Sequence, residues 1–588
     1  MKKQAGPLKS SEEPAYLFGN RPLIIIAATI FLIYLPTLWY GFSPMDERWV
    51  ILQHKEIMSD LHQLPGMFLQ PTLGMYYRPV WTSSFIPDMV LGGGSAGLFH
   101  FTNILLHVLC ATLVYRFFLQ LKLTKTFAFF SALVFAVHPI NVHAVAWIPG
   151  RNDSLLCLFA LLSCCQLLSY FTTKKRRYLL FHLLAFGLAL LSKENAIVLP
   201  FIYVLLWYLF ETEKTSKHFF ILLLSWIAMT VTWFCIRTSL INYFPPVSTM
   251  FSWNTITQFI SALIIYIGKV HVPFQQSVMP VLKDTSVLPF AIITLLLTGM
   301  TLVFGLKNKK LALFGLAWFF IFILIPVWVG ATNSHREHYE HRIYTSVIGM
   351  FIFLSQLKIT VPRKIVLRVA CLLLIVFSVK TIYRSTAYKD EITFLQSATK
   401  ESPSIDFFHD MLGFKYAELK EYKNALECFN KAILLNPHKT DFYNNRGNVY
   451  FQLKNYKLAL ADFNKSMEGN KGQSVKFVNR SMTNFYLGNH TDALHDLEAA
   501  QKAGAEYIAP EYVDALYEAF QKDTIALCTT KLSLDSTDAS TYNTRGIAKM
   551  RLGLFKEALS DFNKALGLRP GSAAIRSNRP MALSNLPD

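Results

Sequence analysis

Charged residues are scarce in this chain. They make up 16% of its 588 residues, while hydrophobic residues make up 53%, and a typical soluble domain is richer in charge. The long apolar runs concentrate before residue 384, and several are long enough to cross a bilayer as a helix. Such runs are Leu23–Tyr40, Ser154–Phe171, His218–Cys235, Leu288–Phe304 and Leu311–Val329. This composition excludes a purely soluble protein and makes the lipid bilayer an expected partner.

Acidic residues are also in deficit. The chain has 57 Lys and Arg against 38 Asp and Glu, a formal charge of +19, which by itself would be compatible with nucleic-acid binding. Much of the excess, however, lies in short clusters between apolar runs, at 174–177, 307–310 and 363–368. Basic clusters at these places are typical of the cytoplasmic loops of membrane proteins. We therefore expect no nucleic-acid partner.

Metal-ligand spacing is missing as well. The eight cysteines fall in predicted helices, and the histidines of residues 54–107 are scattered. Free cysteine behaves as a small hydrophobic residue, so we expect all eight to be buried structural thiols. Zinc sites need closely spaced ligand pairs, and the sequence predicts none.

The predicted fold class is all-α. Residues 22–384 are expected to form about eleven membrane-spanning helices after a cytoplasmic N-terminus of residues 1–21. The basic clusters stay on the cytoplasmic side only if residues 255–270 do not make a simple crossing. The first loop, residues 41–97, is then exported, and the last span carries the chain outward into a linker, residues 385–404.

A repeat follows the linker. Gly413, Ala425 and Phe429 recur 34 residues later as Gly447, Ala459 and Phe463, which is the period and the pattern of tetratricopeptide (TPR) repeats. We predict a TPR solenoid of about five repeats over residues 405–572, the fourth degenerate, and a tail at 573–588. Stacked helix pairs form a concave surface that suits extended peptides. The alternative is that the array dimerises or acts as a spacer.

Ionisable residues at the membrane face usually mark function. Five clusters lie on the predicted exported face: Asp46-Glu47-Arg48, Tyr77-Arg78-Pro79, Gly150-Arg151-Asn152-Asp153, Ser192-Lys193-Glu194 and Glu340-His341-Arg342. Each alone is compatible with a solvated loop, a surface ion pair or a side chain that reaches for lipid headgroups. Because topology places all of them on one side, together they predict a functional site.

These motifs resemble a known family. YRP at 77–79, HP…V…GR.D at 138–153, SKE.A…P at 192–200 and EHR.Y at 340–344, followed by TPR units, are similar to the transmembrane and tetratricopeptide-containing O-mannosyltransferases and their bacterial relatives. That family belongs to the GT-C class of polytopic glycosyltransferases. The order of the motifs and the attached repeats carry the resemblance, which extends over essentially the whole chain.

The resemblance implies an inverting sugar transfer from a polyprenyl-phosphate donor to a hydroxyl acceptor. Asp46 matches the catalytic base, with Glu47 as the second catalytic acid beside it. The implied donor phosphate- and sugar-binding residues are Arg78, Arg151, Asp153, Lys193, Glu194, Glu340, His341 and Arg342. Within this set the cations would stabilise the leaving phosphate, and the acids would orient them or hold sugar hydroxyls.

Two positions depart from the family pattern. Glu47 stands where a second Asp is common, and His143 stands where a Glu is common. No acidic role is therefore carried over to position 143. The family chemistry generally needs no metal, so we expect no cofactor, although some GT-C branches use a divalent cation near the acid pair and that alternative stays open.

The predicted function is a membrane glycosyltransferase. It would transfer a sugar, with mannose as one candidate, to Ser or Thr of exported proteins that the TPR array presents. The alternatives are an oligosaccharide ligase or polymerase of surface glycans and a non-enzymatic TPR scaffold. We favour a bacterial inner membrane, with an endoplasmic reticulum membrane as the alternative. In both cases the repeats are expected on the periplasmic or lumenal side.

Overall fold

The computed structural model describes residues 21–72, 74–212, 216–241, 252–332, 339–358, 361–468 and 473–586. These residues form helices and connecting segments without a strand, so the all-α prediction is confirmed. The chain divides into two compact units, Met1–Ser404 and Ile405–Asp588. Except for Arg21, the predicted cytoplasmic N-terminus lies outside the described residues.

The first unit is built from helices of very different lengths. Its α-helices are α1 (Pro22–Tyr34), α2 (Asp46–Val50), α3 (Lys55–Met58), α4 (Pro79–Ser83), α5 (Ile86–Gly92), α6 (Ala96–Gln120), α7 (Lys125–Val137), α8 (Val142–Ala146), α9 (Arg151–Thr173), α10 (Arg176–Ser192), α11 (Leu199–Phe210), α12 (Ser216–Leu240), α13 (Trp253–His271), α14 (Leu288–Phe304), α15 (Lys309–Thr332), α16 (Val347–Ser355), α17 (Arg363–Ser385) and α18 (Glu391–Glu401). Short helices α2 to α5 occupy the predicted first exported loop.

Several of these helices are suited to a bilayer. Within the described residues, six are long and apolar enough to cross it: Pro22–Trp39, Ala96–Gln120, Ile148–Thr173, Lys217–Leu240, Lys309–Thr332 and Lys364–Tyr388. A bent pair, Lys125–Val137 and Pro139–Ala146, and two shorter apolar helices, Glu194–Phe210 and Leu288–Phe304, add to them. The chain is thus a membrane protein, as predicted, whereas the number of about eleven crossings and their orientation stay predictions.

The bend after α7 has a local cause. His138 is extended, with φ −69° and ψ 123°, because the ring of the following Pro139 disfavours helical geometry in the residue before it. The chain then returns through α8 to Gly150, where a Cβ atom would lie 2.4 Å from the carbonyl oxygen of His143. This close approach requires glycine and sets the start of α9, which carries Arg151 and Asp153.

Residues 255–270, for which a simple crossing was rejected, lie in the unbroken helix α13. Thr255, Gln258, Ala262 and Lys269 are among the residues of its buried face, and they repeat at helical spacing. Whether α13 crosses the bilayer stays a prediction. Its buried polar face shows that the helix packs against protein rather than lipid on that side.

The second unit consists of helical hairpins. Its helices are α19 (Asp406–Glu418), α20 (Tyr422–Leu435), α21 (Thr440–Gln452), α22 (Tyr456–Ser466), α23 (Ser474–Tyr486), α24 (His490–Lys502), α25 (Pro510–Leu534), α26 (Ala539–Arg551), α27 (Phe555–Leu568) and α28 (Ala573–Leu583). Gly413 faces the ring of Phe429, and a Cβ there would lie 2.9 Å from it. The same contact recurs for Gly447 with Phe463 and for Gly546 with Phe562, so the predicted solenoid is confirmed.

The fourth repeat departs from the prediction. Residues 507–538 were expected to supply a helix pair, but they form the single 25-residue helix α25. In the other hairpins the turn residue has a left-handed backbone, with φ 62° at Lys420, 59° at Lys454 and 79° at Gly488. The corresponding residue 34 positions after Gly488 is Lys522, which lies inside α25. No glycine or proline interrupts the segment there, so the helix continues.

Two smaller predictions are wrong. Part of the expected tail forms α28, which packs Ile575 against Ala539 and Ala565 and thereby covers the last hairpin. A terminal helix of this kind caps the exposed end of a repeat array. Cys235 and Cys371 are exposed on the surfaces of their helices rather than buried.

Candidate active site

Arg78 and Glu194 join two of the predicted motifs. The Nε atom of Arg78 donates to both carboxylate oxygens of Glu194 at 3.1 and 2.9 Å, and a terminal nitrogen donates at 2.7 Å. The guanidinium also lies 4.2 Å from the centre of the Tyr76 ring. Such a charge-assisted, multiply bonded pair is strong and geometrically specific. It fixes the first loop, directly before α4, to the turn between α10 and α11.

Lys193 turns to a different partner. Its ammonium lies 2.6 and 2.7 Å from the two carboxylate oxygens of Asp153 and 3.2 Å from the side-chain oxygen of Asn152. Lys193 and Asp153 are both buried. The neighbouring residues Lys193 and Glu194 thus bind separate segments, which excludes the simple surface pair between them.

The 340–344 motif lies beside the Lys193–Asp153 pair. The Nε2 atom of His341 lies 3.9 Å from a carboxylate oxygen of Asp153. Burial first, and then His143 and the positive charges of Lys193, Arg342 and Arg78, hold the pKa of His341 well below its usual value. A neutral imidazole therefore faces the Lys193–Asp153 pair, and motifs from four separate parts of the sequence converge.

Glu47 is buried and fully engaged by the protein. One of its carboxylate oxygens accepts from the backbone N–H and the hydroxyl of Ser43, and the other accepts from the backbone N–H of Ile148 at 3.2 Å. Burial raises the pKa of Glu47 to about 8, against the hydrogen bonds that lower it. This geometry suits a residue that positions the loop.

Asp46, by contrast, is partly exposed at the start of α2. Helix α2 packs against residues Ile148–Gly150, which directly precede the helix that carries Asp153. Of the two predicted catalytic acids, Asp46 is therefore the one that a substrate can approach from solvent.

Arg151 does not join this group. Its guanidinium donates to the side-chain oxygen of Asn103 at 2.7 Å, to Asp88 at 2.5 Å, and to the backbone oxygens of Ser84 and Phe99 at 2.7 and 2.9 Å. A contact of 3.4 Å to the Ser84 hydroxyl completes the set. Because arginine has five N–H donors, none is left for a phosphate. In this geometry Arg151 holds α5 and α6 to α9.

Glu340 and Arg342 also have protein partners. Glu340 accepts from the buried Lys269 of α13 at 2.6 Å, and it lies 3.3 Å from the backbone nitrogen of Ser277. Arg342 donates to the backbone oxygen of Pro326 at 2.8 Å and stacks 5.1 Å from the Tyr339 ring. Helix α13 was not counted as a simple crossing in the predicted topology. It nevertheless contributes the buried cation Lys269 next to the motif.

Sequence reasoning missed Asp88 and Lys269. Each is a single charge within an apolar stretch, Asp88 in IPDMVL and Lys269 in YIGKVH. Because a lone charge in such a stretch needs a partner, this signal predicts that both are paired, but it does not identify the partners.

Aromatic rings pack around His143 beside these charges. Its ring centre lies 4.4 Å from that of His341, 4.8 Å from Trp147 and 5.7 Å from Tyr388. We call these four side chains the aromatic cluster. It brings the position that departs from the family pattern into direct contact with a predicted site residue.

A resident metal has no evident ligand set. Within the described part of the chain, no group of three or more His, Cys, Asp or Glu side chains is arranged to hold a metal ion. The arrangement instead offers carboxylates on and beside the first loop, two cation–carboxylate pairs and a neutral histidine. Such a set can accept a proton from a hydroxyl and stabilise a developing negative charge.

Comparisons with known proteins match two families to parts of this chain. A sequence model of the dolichyl-phosphate-mannose-protein mannosyltransferase family matches residues 88–236, which include Asp153, Lys193 and Glu194. Models of the tetratricopeptide repeat match residues 413–465 and 539–572.

Similar proteins carry the same description. Protein O-mannosyl-transferase TMTC1 of Homo sapiens is 35% identical over 129 residues, which are 20% of this chain and 14% of that protein. TMTC2 of Mus musculus is 41% identical over 87 residues, 15% of this chain and 10% of that protein. Tmtc2 of Drosophila melanogaster is 33% identical over 150 residues, 24% of this chain and 15% of that protein. This chain is related to the TPR-containing protein O-mannosyltransferases.

The predicted relationship to the O-mannosyltransferases is thus confirmed. The chain spans between 10% and 15% of the length of these three relatives. Two solved structures resemble the repeats. The TPR protein YrrB covers 32% of this chain and 97% of itself with 17% identity and a TM-score of 0.22. MamA covers 30% of this chain and 86% of itself with 17% identity and a TM-score of 0.19.

Proposed function

We propose that this protein is a membrane glycosyltransferase that moves a sugar from a polyprenyl-phosphate carrier to a hydroxyl group. The observation that carries the proposal is the meeting of Arg78–Glu194, Lys193–Asp153 and His341, which come from distant parts of the chain. The names of its relatives support a protein acceptor and mannose as the sugar. Ser and Thr supply the hydroxyl groups of a protein acceptor.

In the proposed reaction, Asp46 accepts the proton of the acceptor hydroxyl as its oxygen attacks the anomeric carbon. The bond between that carbon and the phosphate oxygen breaks, and the lipid phosphate leaves with the electron pair. Attack and departure on opposite faces invert the configuration, with no need for a second carboxylate as nucleophile. Asp46 suits the role of base because it is partly exposed on the first loop.

The leaving phosphate needs cations, since negative charge grows on it in the transition state. Arg78 is the first candidate: its side chain keeps 12% exposure despite the pair with Glu194. Lys193 is less suited, because Asp153 and Asn152 already accept from the three N–H donors of its ammonium. Arg151 is the least suited, because oxygen atoms of this protein itself accept hydrogen bonds from all of its N–H donors.

The TPR unit is proposed to bind the protein acceptor. Repeat solenoids present extended surfaces for polypeptides. A binding module in the same chain as the catalytic unit raises the effective concentration of the acceptor. Both units would work on the periplasmic or lumenal side; a tag placed after residue 586 and found in the cytoplasm would contradict this topology.

The decisive experiment is transfer by the purified full-length protein in detergent or liposomes. Polyprenyl-phosphate mannose serves as donor and unfolded secretory polypeptides as acceptors, with mass analysis of the product. We expect Asp46→Asn to lower the rate by about 10²- to 10⁴-fold, the usual contribution of a general base. Glu56→Gln, an exposed carboxylate of the same loop, is the matched control and is expected to retain activity.

Three outcomes would contradict the proposal. The first is no transfer from any polyprenyl-phosphate sugar by a folded wild-type protein. The second is full transfer activity of Asp46→Asn, which would exclude Asp46 as the base. The third is a product in which the sugar has joined a glycan instead of a polypeptide, which would identify a ligase or polymerase.

A further inference from the structure

The aromatic cluster and the nearby Arg384 contain an unusual concentration of buried polar atoms without partners in the described residues. In the described residues, no hydrogen-bond partner is found for Nδ1 of His143, Nε1 of Trp147, Nδ1 of His341, one terminal nitrogen of Arg384 and the hydroxyl oxygen of Tyr388. All five side chains belong to buried residues. The set comes from three segments: α8 with its following turn, the 340–343 turn, and the end of α17.

These atoms are neighbours. The His143 ring contacts the rings of Trp147, His341 and Tyr388, and the Trp147 and His341 rings are 5.8 Å apart. Arg384 precedes Tyr388 by four residues, about one helical turn, and α17 packs on α8. The five groups therefore form one site rather than five isolated defects.

Such a site needs an occupant. Leaving a buried polar group unsatisfied is costly in free energy, and native proteins contain only a few such groups per hundred residues. Five on adjoining side chains indicate that a ligand with several oxygen atoms, or ordered water, completes their hydrogen bonds.

The chemistry of the groups favours a neutral, hydroxyl-rich ligand. The Trp147 indole can only donate, and the Tyr388 hydroxyl and the two imidazoles can donate or accept. The charge of Arg384 is balanced by Glu401, whose carboxylate lies 2.6 Å away. Aromatic walls with a few placed polar groups are the usual construction of small-molecule sites. A phosphate would instead be served by the cation Arg78, whose side chain keeps 12% exposure.

We infer that the aromatic cluster, together with Arg384, is the subsite that holds the hydroxyl groups of the donor sugar. This inference rests on the proposed function, since it names the part of that site which recognises the sugar. Trp147 and Tyr388 would be specificity-determining residues, and His341 would link the subsite to Asp153 and Lys193.

Affinity measurements distinguish recognition of the sugar from recognition of its lipid carrier. The affinity of the full-length protein in detergent is measured for polyprenyl-phosphate mannose and for polyprenyl phosphate without sugar. We expect the wild-type protein to bind the mannosylated lipid more tightly. Tyr388→Phe, which removes one hydroxyl oxygen, should weaken binding of the mannosylated lipid up to about tenfold, the effect of one neutral hydrogen bond. Trp147→Phe, which removes the indole N–H together with part of the ring, should weaken it by at least as much. Binding of the lipid without sugar should not change.

The matched control is Tyr34→Phe. The Tyr34 hydroxyl is also buried and has no partner in the described residues, but its ring contacts that of His107 and lies outside the cluster. Removal of the Tyr34 hydroxyl should leave the affinities for both lipids unchanged. A thermal unfolding curve for each variant shows that it is folded.

The inference is overturned if the wild-type protein binds both lipids equally, or if Tyr388→Phe and Trp147→Phe change the two affinities by the same factor. It is also overturned if the variants bind as the wild type does, which would assign the site to water. These results differ from failure of the proposed function, which would appear as absence of transfer from every donor.

Discussion

The ion pairs of the two units follow opposite rules. In the repeats, Arg446–Asp462, Arg480–Asp496 and Arg545–Asp561 each join residues 16 positions apart. In the membrane unit the partners are 40 positions apart in Lys193–Asp153, 71 in Lys269–Glu340 and 116 in Arg78–Glu194. A repeat places charges by its period, whereas the membrane unit places them by its tertiary fold.

Burial determines how much free energy is lost when one partner of an ion pair is removed. Lys193 and Asp153 keep side-chain exposures of only 7% and 4%, while the surface pair Lys522–Glu518 of the repeats keeps 65% and 57%. Removing one partner of a buried pair leaves an uncompensated charge, whereas an exposed partner is simply solvated by water. The Lys193–Asp153 pair should therefore be far more sensitive to the loss of one charge than the exposed Lys522–Glu518 pair.

The largest expected effect is that of Lys193→Met. It leaves Asp153 buried without its cation and should lower the free energy of unfolding by about 3–5 kcal/mol. The measurement is thermal unfolding of the full-length protein in detergent. The double variant Lys193→Met/Asp153→Asn should recover much of the loss. A single variant as stable as wild type would refute the buried pair.

Packing in the repeats gives the second test. A Cβ at Gly447 would lie 2.8 Å from the Phe463 ring, so Gly447→Ser should destabilise the unit by about 1–3 kcal/mol through overpacking. The third hairpin has Ser481 and Leu497 at the equivalent positions, where both are buried. Hydrogen exchange of the full-length protein measures the local stability.

The natural pair Ser481–Leu497 also supplies the control. Because the smaller leucine leaves room for a serine, Gly447→Ser combined with Phe463→Leu should be more stable than the sum of the two single effects predicts. Gly567→Ala, at a helical glycine with open space around it, should not destabilise the protein. Strict additivity in the double variant would contradict the packing argument.

A third test concerns the pH dependence of Glu47. Burial raises its pKa from an ordinary value of 4.5 to about 8, so the folded state favours the protonated form. The stabilisation is complete below the ordinary pKa and is lost as the pH rises through about 8. Thermal unfolding across this range should show the decline in the wild type.

Glu47→Gln is the matched variant for that test. Its amide cannot titrate, so the decline assigned to Glu47 should disappear. Both carboxylate oxygens of Glu47 accept backbone N–H groups, and the amide must turn its NH₂ towards one of them. A pH-independent loss of about 1–2 kcal/mol should follow. An unchanged pH profile would show that other groups cause the decline.

The smallest expected effect is that of Lys522→Ala in the repeats. Pairs at this helical spacing contribute about 0.2–0.5 kcal/mol, and alanine is itself favourable in a helix. Hydrogen exchange in α25 should therefore change little. A loss as large as that of Lys193→Met would contradict the difference expected between the buried and the exposed pair.

Much of the fold could be predicted because the relevant contacts are local. The recurrence of Gly413 and Phe429 as Gly447 and Phe463 reflects one helix packing on the next, so the period predicts the hairpin. Where the turn signal is missing, at Lys522, the helix continues and the fourth hairpin is lost. Apolar length likewise predicts helices that suit a bilayer, but not their order around a site.

The candidate site was only partly predictable. The residues of the five motifs were identified from the sequence, but the structure shows that they have different partners. Arg151 uses its donors within the protein, and the buried Lys269 of α13 pairs with Glu340. The sequence gives the chemical type of each side chain, whereas the interaction partner of that side chain depends on which segments the fold brings together.

The sequence by itself determined the helical class, the membrane character and the repeat period, because these follow from apolar length and from contacts between neighbouring elements. Only the tertiary structure decided that Lys193 binds Asp153 while Glu194 binds Arg78. It also decided that five buried polar atoms, for which the described residues provide no partner, gather at and around His143. The physical reason is the same in both cases. A buried polar group must be satisfied wherever the chain packing places it, and that place depends on segments far apart in sequence.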